Sequence, residues 1–203
     1  MLNVTKLTFD HETAPVGLDH APVFGWQVTG DCRDIRQTMA QLQIAMTPDF
    51  AAPVFDELLP GKNSIAVQAA GFAPRALTRY YARVQIKADT AADLQTSDWS
   101  APGSFVTALL DPEREWRAAF ISAEDADTCR ESSAGTMVRG DFAVRPGIRA
   151  AYACTTALGL YNFYLNGTKV STDEMTPGWT SYNRRPHQTV CGTHGNTADC
   201  IIT

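Results

Sequence analysis

Tyr80, Ala82, Val84 and Ile86 alternate with Tyr81, Arg83, Gln85 and Lys87. A period of two held over eight residues suits an extended strand with one face in the core and the other turned outward. The alternation also occurs at Phe24, Trp26 and Val28 against Gly25 and Gln27, at Leu42 and Ile44 beyond the polar loop 30–34, and over Ser64 to Gln68, and the strand Phe105-Val106-Thr107 closes the series. Pro, Gly and Asp punctuate the intervals, as turns require. No ten-residue window in this half keeps a helical stripe free of a breaker, with Arg36 to Met46 the nearest imitation. Residues 1–110 therefore read as an all-β sandwich.

The second half carries its own β signal. In Gly159-Leu160-Tyr161-Asn162-Phe163-Tyr164-Leu165-Asn166-Gly167-Thr168-Lys169-Val170 an aromatic-rich run meets Asn-Gly, the pair that tolerates the two positive φ angles of a type I′ turn, and a return strand follows. Further strands are expected at Met137 to Val144 and Ala150 to Thr156, and a surface loop over Glu124 to Gly135. The segment 111–115, polar and proline-bearing, reads as a linker, with Trp116 to Ile121 opening a second domain. At 203 residues the chain has room for two sandwiches.

Charge and composition exclude several function classes. With 17 Lys and Arg against 22 Asp and Glu the net charge is −5, and no basic run follows a phosphate backbone, so nucleic acid is not an expected partner. The first ten residues lack the apolar core of a signal peptide and no later run could span a bilayer, so the expected location is cytoplasmic and off the membrane. Five irregularly spaced cysteines read as reduced thiols, not a disulfide framework.

Two sets of residues resemble one family. Gly159 to Gly167, followed by Pro177-Gly178-Trp179-Thr180-Ser181-Tyr182, resembles the N-terminal region of bacterial α-L-rhamnosidases of the glycoside hydrolase family 78 type. Pro22-Val23-Phe24-Gly25-Trp26, Tyr80-Tyr81-Ala82-Arg83-Val84, Ser97-Asp98-Trp99-Ser100 and Phe105-Val106-Thr107 resemble the fibronectin-like first domain of the same enzymes. The resemblance implies two consecutive β-sandwiches, the first fibronectin type III- or immunoglobulin-like over 1–110, the second jelly-roll-like over 116–189 and incomplete, ahead of a divergent tail, 190–203. It also implies a non-catalytic portion of a rhamnose-removing enzyme, because the family carries its acid pair on a C-terminal helical barrel missing from this chain. An incomplete sandwich leaves an edge and an apolar face for the rest of an enzyme, or a second copy, to cover. The rival expectation is a stand-alone carbohydrate- or protein-binding module.

No catalytic residue is expected. Inverting hydrolysis needs two carboxyl groups about 6.5–9.5 Å apart across a sugar, and the local pairs Glu113/Glu115 and Asp173/Glu174 read as solvated acids. Trp179, with Tyr182 and Asn183, is the candidate carbohydrate contact, since a sugar's C–H face packs on an indole and its hydroxyls meet an amide. A large aromatic behind a Pro-Gly turn serves more often as a packing anchor, and that is the favoured reading of Trp179. His187, Cys191, His194 and Cys200 are the zinc alternative, although their spacing matches no closed finger. Calcium enters by family analogy only, with Asp125 and Asp127 as the local oxygens. His11 and His20 lack a nucleophile elbow, and Asn166-Gly167-Thr168, formally a glycosylation sequon, is explained by its turn.

Overall fold

The computed structural model describes residues 1–121, 135–143, 146–148, 150–178, 189–194 and 197–202, the last two stretches by backbone alone. The first sandwich is built from β1 (Leu2–Phe9), β2 (Val16–Leu18), β3 (Val23–Gly30), β4 (Arg36–Ala45), β5 (Pro53–Pro60), β6 (Val67–Gln68), β7 (Arg79–Asp89), β8 (Leu94–Thr96) and β9 (Gly103–Thr107). One sheet has the order β1-β3-β6. The other runs β2-β9-β7-β4-β5, with β8 paired to β7. The pairs are antiparallel except β2 with β9.

Side chains from the two inner faces meet in an aromatic core. Phe9 lies 5.0 Å from Phe105 and 5.7 Å from Phe24, and Tyr80 stacks on Phe105 at 5.4 Å. Leu42, Ile44, Val84 and Ile86 are fully buried beside them, and their alternation along β4 and β7 turns one row of each strand inward. The stretch Arg36 to Met46 is thus strand up to Ala45, held between β5 and β7. The Tyr80 hydroxyl accepts the backbone N–H of Arg75 at 2.8 Å, the corner contact expected of immunoglobulin-like sandwiches.

Two expectations for this half change. Ser64 to Gln68 gives strand only at Val67–Gln68, because the chain turns through a left-handed Ala66 (φ 53°) just before it. The outward row of β7 is not simply solvated. Arg83 is clasped between Phe50 and Trp99, its guanidinium 4.4 and 4.5 Å from the two rings, while its Nε donates to Gln43 Oε1 at 2.8 Å.

Beyond the sandwich, α1 (Pro112–Glu115) is one turn in the expected linker. Glu115 Oε2 accepts the N–H groups of Leu110 (2.7 Å) and Asp111 (3.0 Å), so this acid has a structural task. β10 (Ala150–Thr155) pairs with β13 (Thr189–His194), and β13 with β14 (Thr197–Ile202), so the divergent tail forms a hairpin on β10. β11 (Tyr164–Leu165) and β12 (Thr168–Lys169) make the expected hairpin, with Asn166 at φ 51° and Gly167 at φ 83°. The strand expected at Met137 to Val144 is not found over 137–143. Met137 is 94% and Phe142 72% exposed, so an apolar pattern stands there with no strand among the described residues to pair it. Most of the Glu124 to Gly135 loop, with Asp125 and Asp127, lies outside the described residues.

Candidate functional site

The approach to Trp179 is built in steps from the β11–β12 hairpin. Val170 is buried and its N–H bonds to the Phe163 carbonyl at 2.9 Å, closing the hairpin's open end. The chain then folds back, and Tyr161 N–H meets the Thr176 carbonyl at 2.8 Å while Thr176 Oγ1 donates to the Tyr161 carbonyl at 2.9 Å. Tyr161 is itself held by a hydroxyl contact with Thr155 on β10. A turn over Met175 to Gly178, closed by Gly178 N–H on the Met175 carbonyl at 2.9 Å, ends the described part. Met175 (φ 60°) and Gly178 (φ 99°) both take left-handed backbone there. Trp179, Tyr182 and Asn183 themselves lie outside the described residues.

The acids of this segment are engaged locally. Asp173 Oδ2 accepts the Ser171 hydroxyl at 2.6 Å, and Glu174 pairs with Lys169 at 2.7 Å. No cluster of three or more His, Cys, Asp or Glu with metal-binding geometry occurs among the described residues. Of the zinc alternative, the backbone register sets Cys191 opposite Cys200, while His194 pairs with Thr197 three residues along β13. His187 lies outside the described residues. Cys154 on β10 is a half-buried free thiol whose pKa is pushed up by burial first and by the charge of Glu115 second, which favours the protonated form.

A second concavity lies on the first sandwich. A cleft of about 660 Å³ opens over β1 and β3, walled by the start of β4 and by residues 62–65. Lys6, His11 and Lys62 line it, with Gln27, Thr29 and Ser64 as neutral polar groups, and none of its lining residues is acidic. Trp26 is buried at its base, where its indole Nε1 donates to Gln37 Oε1 at 2.9 Å. The Gln37 amide donates in turn to the carbonyls of Asn63 (2.9 Å) and Gly61 (3.3 Å), which pins the wall. Sequence reading missed this cleft, yet one signal for it is present. Leu2 and Val4 point inward and so do Leu7 and Phe9, a slip in the alternation that marks a β-bulge at Lys6. The register confirms it, since Thr5 pairs with Gln27 but Thr8 with Gly25.

Comparison with known proteins follows these two regions. The family described as the Rha78A-like, N-terminal immunoglobulin domain matches residues 4–111, and the α-L-rhamnosidase N-terminal domain matches residues 147–191. The α-L-rhamnosidase of Alteromonas sp. (strain LOR) is 26% identical over 183 residues, which are 84% of this chain and 20% of that protein. Among solved structures, the α-L-rhamnosidase from Dictyoglumus thermophilum superposes with a TM-score of 0.70 at 17% identity, over 99% of this chain and 29% of that one. The native enzyme from Aspergillus terreus gives 0.69 at 17% identity, over 100% and 29%. These structural likenesses are likenesses of fold, and the chain spans about a fifth of the length of the curated relatives it matches. With over half of its length matched by the first of the two domain families, the chain belongs to the α-L-rhamnosidase family and carries that family's N-terminal immunoglobulin-like sandwich and rhamnosidase N-terminal domain.

Proposed function

We propose that the chain acts as a non-catalytic brace of an α-L-rhamnosidase-type glycoside hydrolase, an enzyme that removes terminal α-L-rhamnose. The first sandwich is the rigid element, and the second domain is the surface that meets the rest of the enzyme. The observation that carries this reading is the contrast between the two halves. Residues 1–109 enclose an aromatic and aliphatic core, whereas Phe120, Ile121, Met137, Phe142, Leu158 and Met175 beyond it are all more than half exposed. Apolar groups gathered at this density on one part of a chain mark a surface to be covered. The family match supports an enzyme of this class as what covers it.

A contact with rhamnose-bearing carbohydrate is the subsidiary role. It rests on Trp179, Tyr182 and Asn183, and the support for it is the hydrogen-bonded turn that leads into Trp179. The brace reading is tested by incubating the purified chain with an aryl α-L-rhamnoside. The expected result is no release of the aryl group above the buffer rate. Turnover that follows the folded chain through a sizing column, and is lost on changing one of its acids, would overturn the non-catalytic assignment.

A further inference from the structure

We propose that the cleft over β1 and β3 binds an acidic segment of a carbohydrate chain, one bearing carboxylate or sulfate groups. The charge of the ligand follows from the cleft, and its carbohydrate nature rests on the family reading above.

The chain as a whole is acidic, at net −5, yet the cleft holds Lys6, Lys62 and His11 and no carboxylate. Neither lysine is ion-paired with any of the described residues. Two unneutralised ammonium groups on one cleft raise the local potential for an anion against the repulsion of the remaining surface. Cations this few suit one or two acidic groups on a sugar, whereas nucleic acid presents a continuous run of charge. Gln27, Thr29 and Ser64 between them supply the neutral donors and acceptors that sugar hydroxyls require.

The backbone is shaped toward the same cleft. Lys6 sits in the β1 bulge at φ 47° and His11 at φ 71°, left-handed conformations that non-glycine residues rarely take. A bulge re-aims the side chain it carries, and here that side chain is the cleft's lysine. Gly25 lets Thr8 lie close on the cleft floor, since a Cβ there would fall 2.8 Å from Thr8 Oγ1. The chain from Trp26 through Gln37 to Asn63 holds the opposite wall without a ligand, so little ordering is left to be done on binding. The cleft volume, about 660 Å³, lies within the range of about 300–1,000 Å³ typical of ligand sites.

Isothermal titration of the full chain with trigalacturonate, and separately with a sulfated galactose trisaccharide, tests the proposal, with maltotriose as the neutral probe. At least one acidic trisaccharide should bind and maltotriose should not; the arm that responds identifies carboxylate or sulfate. The double variant Lys6→Gln/Lys62→Gln should weaken binding by about tenfold or more, the loss expected when charged hydrogen bonds are removed. Lys87→Gln, which removes one lysine charge at an exposed position on β7, should leave it unaltered. Both variants should melt with the wild type. Failure of both acidic arms, equal binding of maltotriose, or equal weakening by Lys87→Gln would overturn the proposal. A failure here leaves untouched the exchange pattern, described below, on which the brace reading depends.

Discussion

Trp26 is fixed by the core on one side and by a single side-chain acceptor on the other. It is 4% exposed, and Gln37 both receives its indole N–H and ties down the 61–63 backbone. Trp26→Ala is therefore expected to cost about 3–5 kcal/mol, the range for losing a large buried aromatic, as read from the denaturant midpoint; a loss below about 1 kcal/mol would be that of a surface residue. His20 offers a change that depends on pH. Its Nδ1 lies 2.6 Å from Asp19 and its Nε2 3.1 Å from Asp10, and its pKa is raised above the ordinary value of 6.5, first by the hydrogen bond to Asp19 and then by the charges of Asp10 and Asp19. A raised folded pKa means that the charged clasp stabilises fully below pH 6.5 and that this contribution fades as pH rises through the folded value. The exposed ring makes the effect small. Thermal melts of wild type and His20→Gln should differ at pH 5.5 and converge in alkaline buffer, and a gap that widened with pH would reverse the sign.

At the scale of strands, Gly103 on β9 is where the facing sheet leaves no room for a side chain. A Cβ there would meet the Phe9 ring at 2.8 and 2.9 Å and Leu7 Cδ2 at 3.3 Å. Phe9 is fully buried against Phe24 and Phe105 and has nowhere to retreat. Gly103→Ala should destabilise by about 1–3 kcal/mol through overpacking, measurable as a lowered denaturant midpoint with an unchanged slope. The period-two pattern located β3 and β7 because each has one buried and one less buried row, and Asn166-Gly167 located its hairpin because the turn chemistry is local. β1 and β5 went unread for different reasons. The bulge at Lys6 breaks the period of β1, and β5, paired only to β4, keeps few inward residues besides Phe55. A strand was expected at Met137 to Val144 because its apolar residues suit one, but strand formation needs a neighbour as well as a pattern, and residues 137–143 pair with no strand among the described residues.

Among the described residues the division is between 1–109, which hold nearly all of the buried hydrophobic side chains, and the remainder, where Val170 is the one buried. The family was legible from two short sets of residues because turns and buried aromatics constrain sequence tightly. The cleft was not, since Lys6 and Lys62 are 56 positions apart in the sequence and only the β1–β3 register and the 61–65 wall bring them to one concavity. In the proposed brace the second domain depends on cover from outside this chain. Hydrogen–deuterium exchange of the purified 203-residue protein tests it most directly, since protection reports local opening free energy. Slow exchange is expected in β4 and β7, and exchange faster by orders of magnitude over 150–178. Protection of 150–178 equal to that of β4 and β7 would show a self-sufficient second domain and contradict the brace.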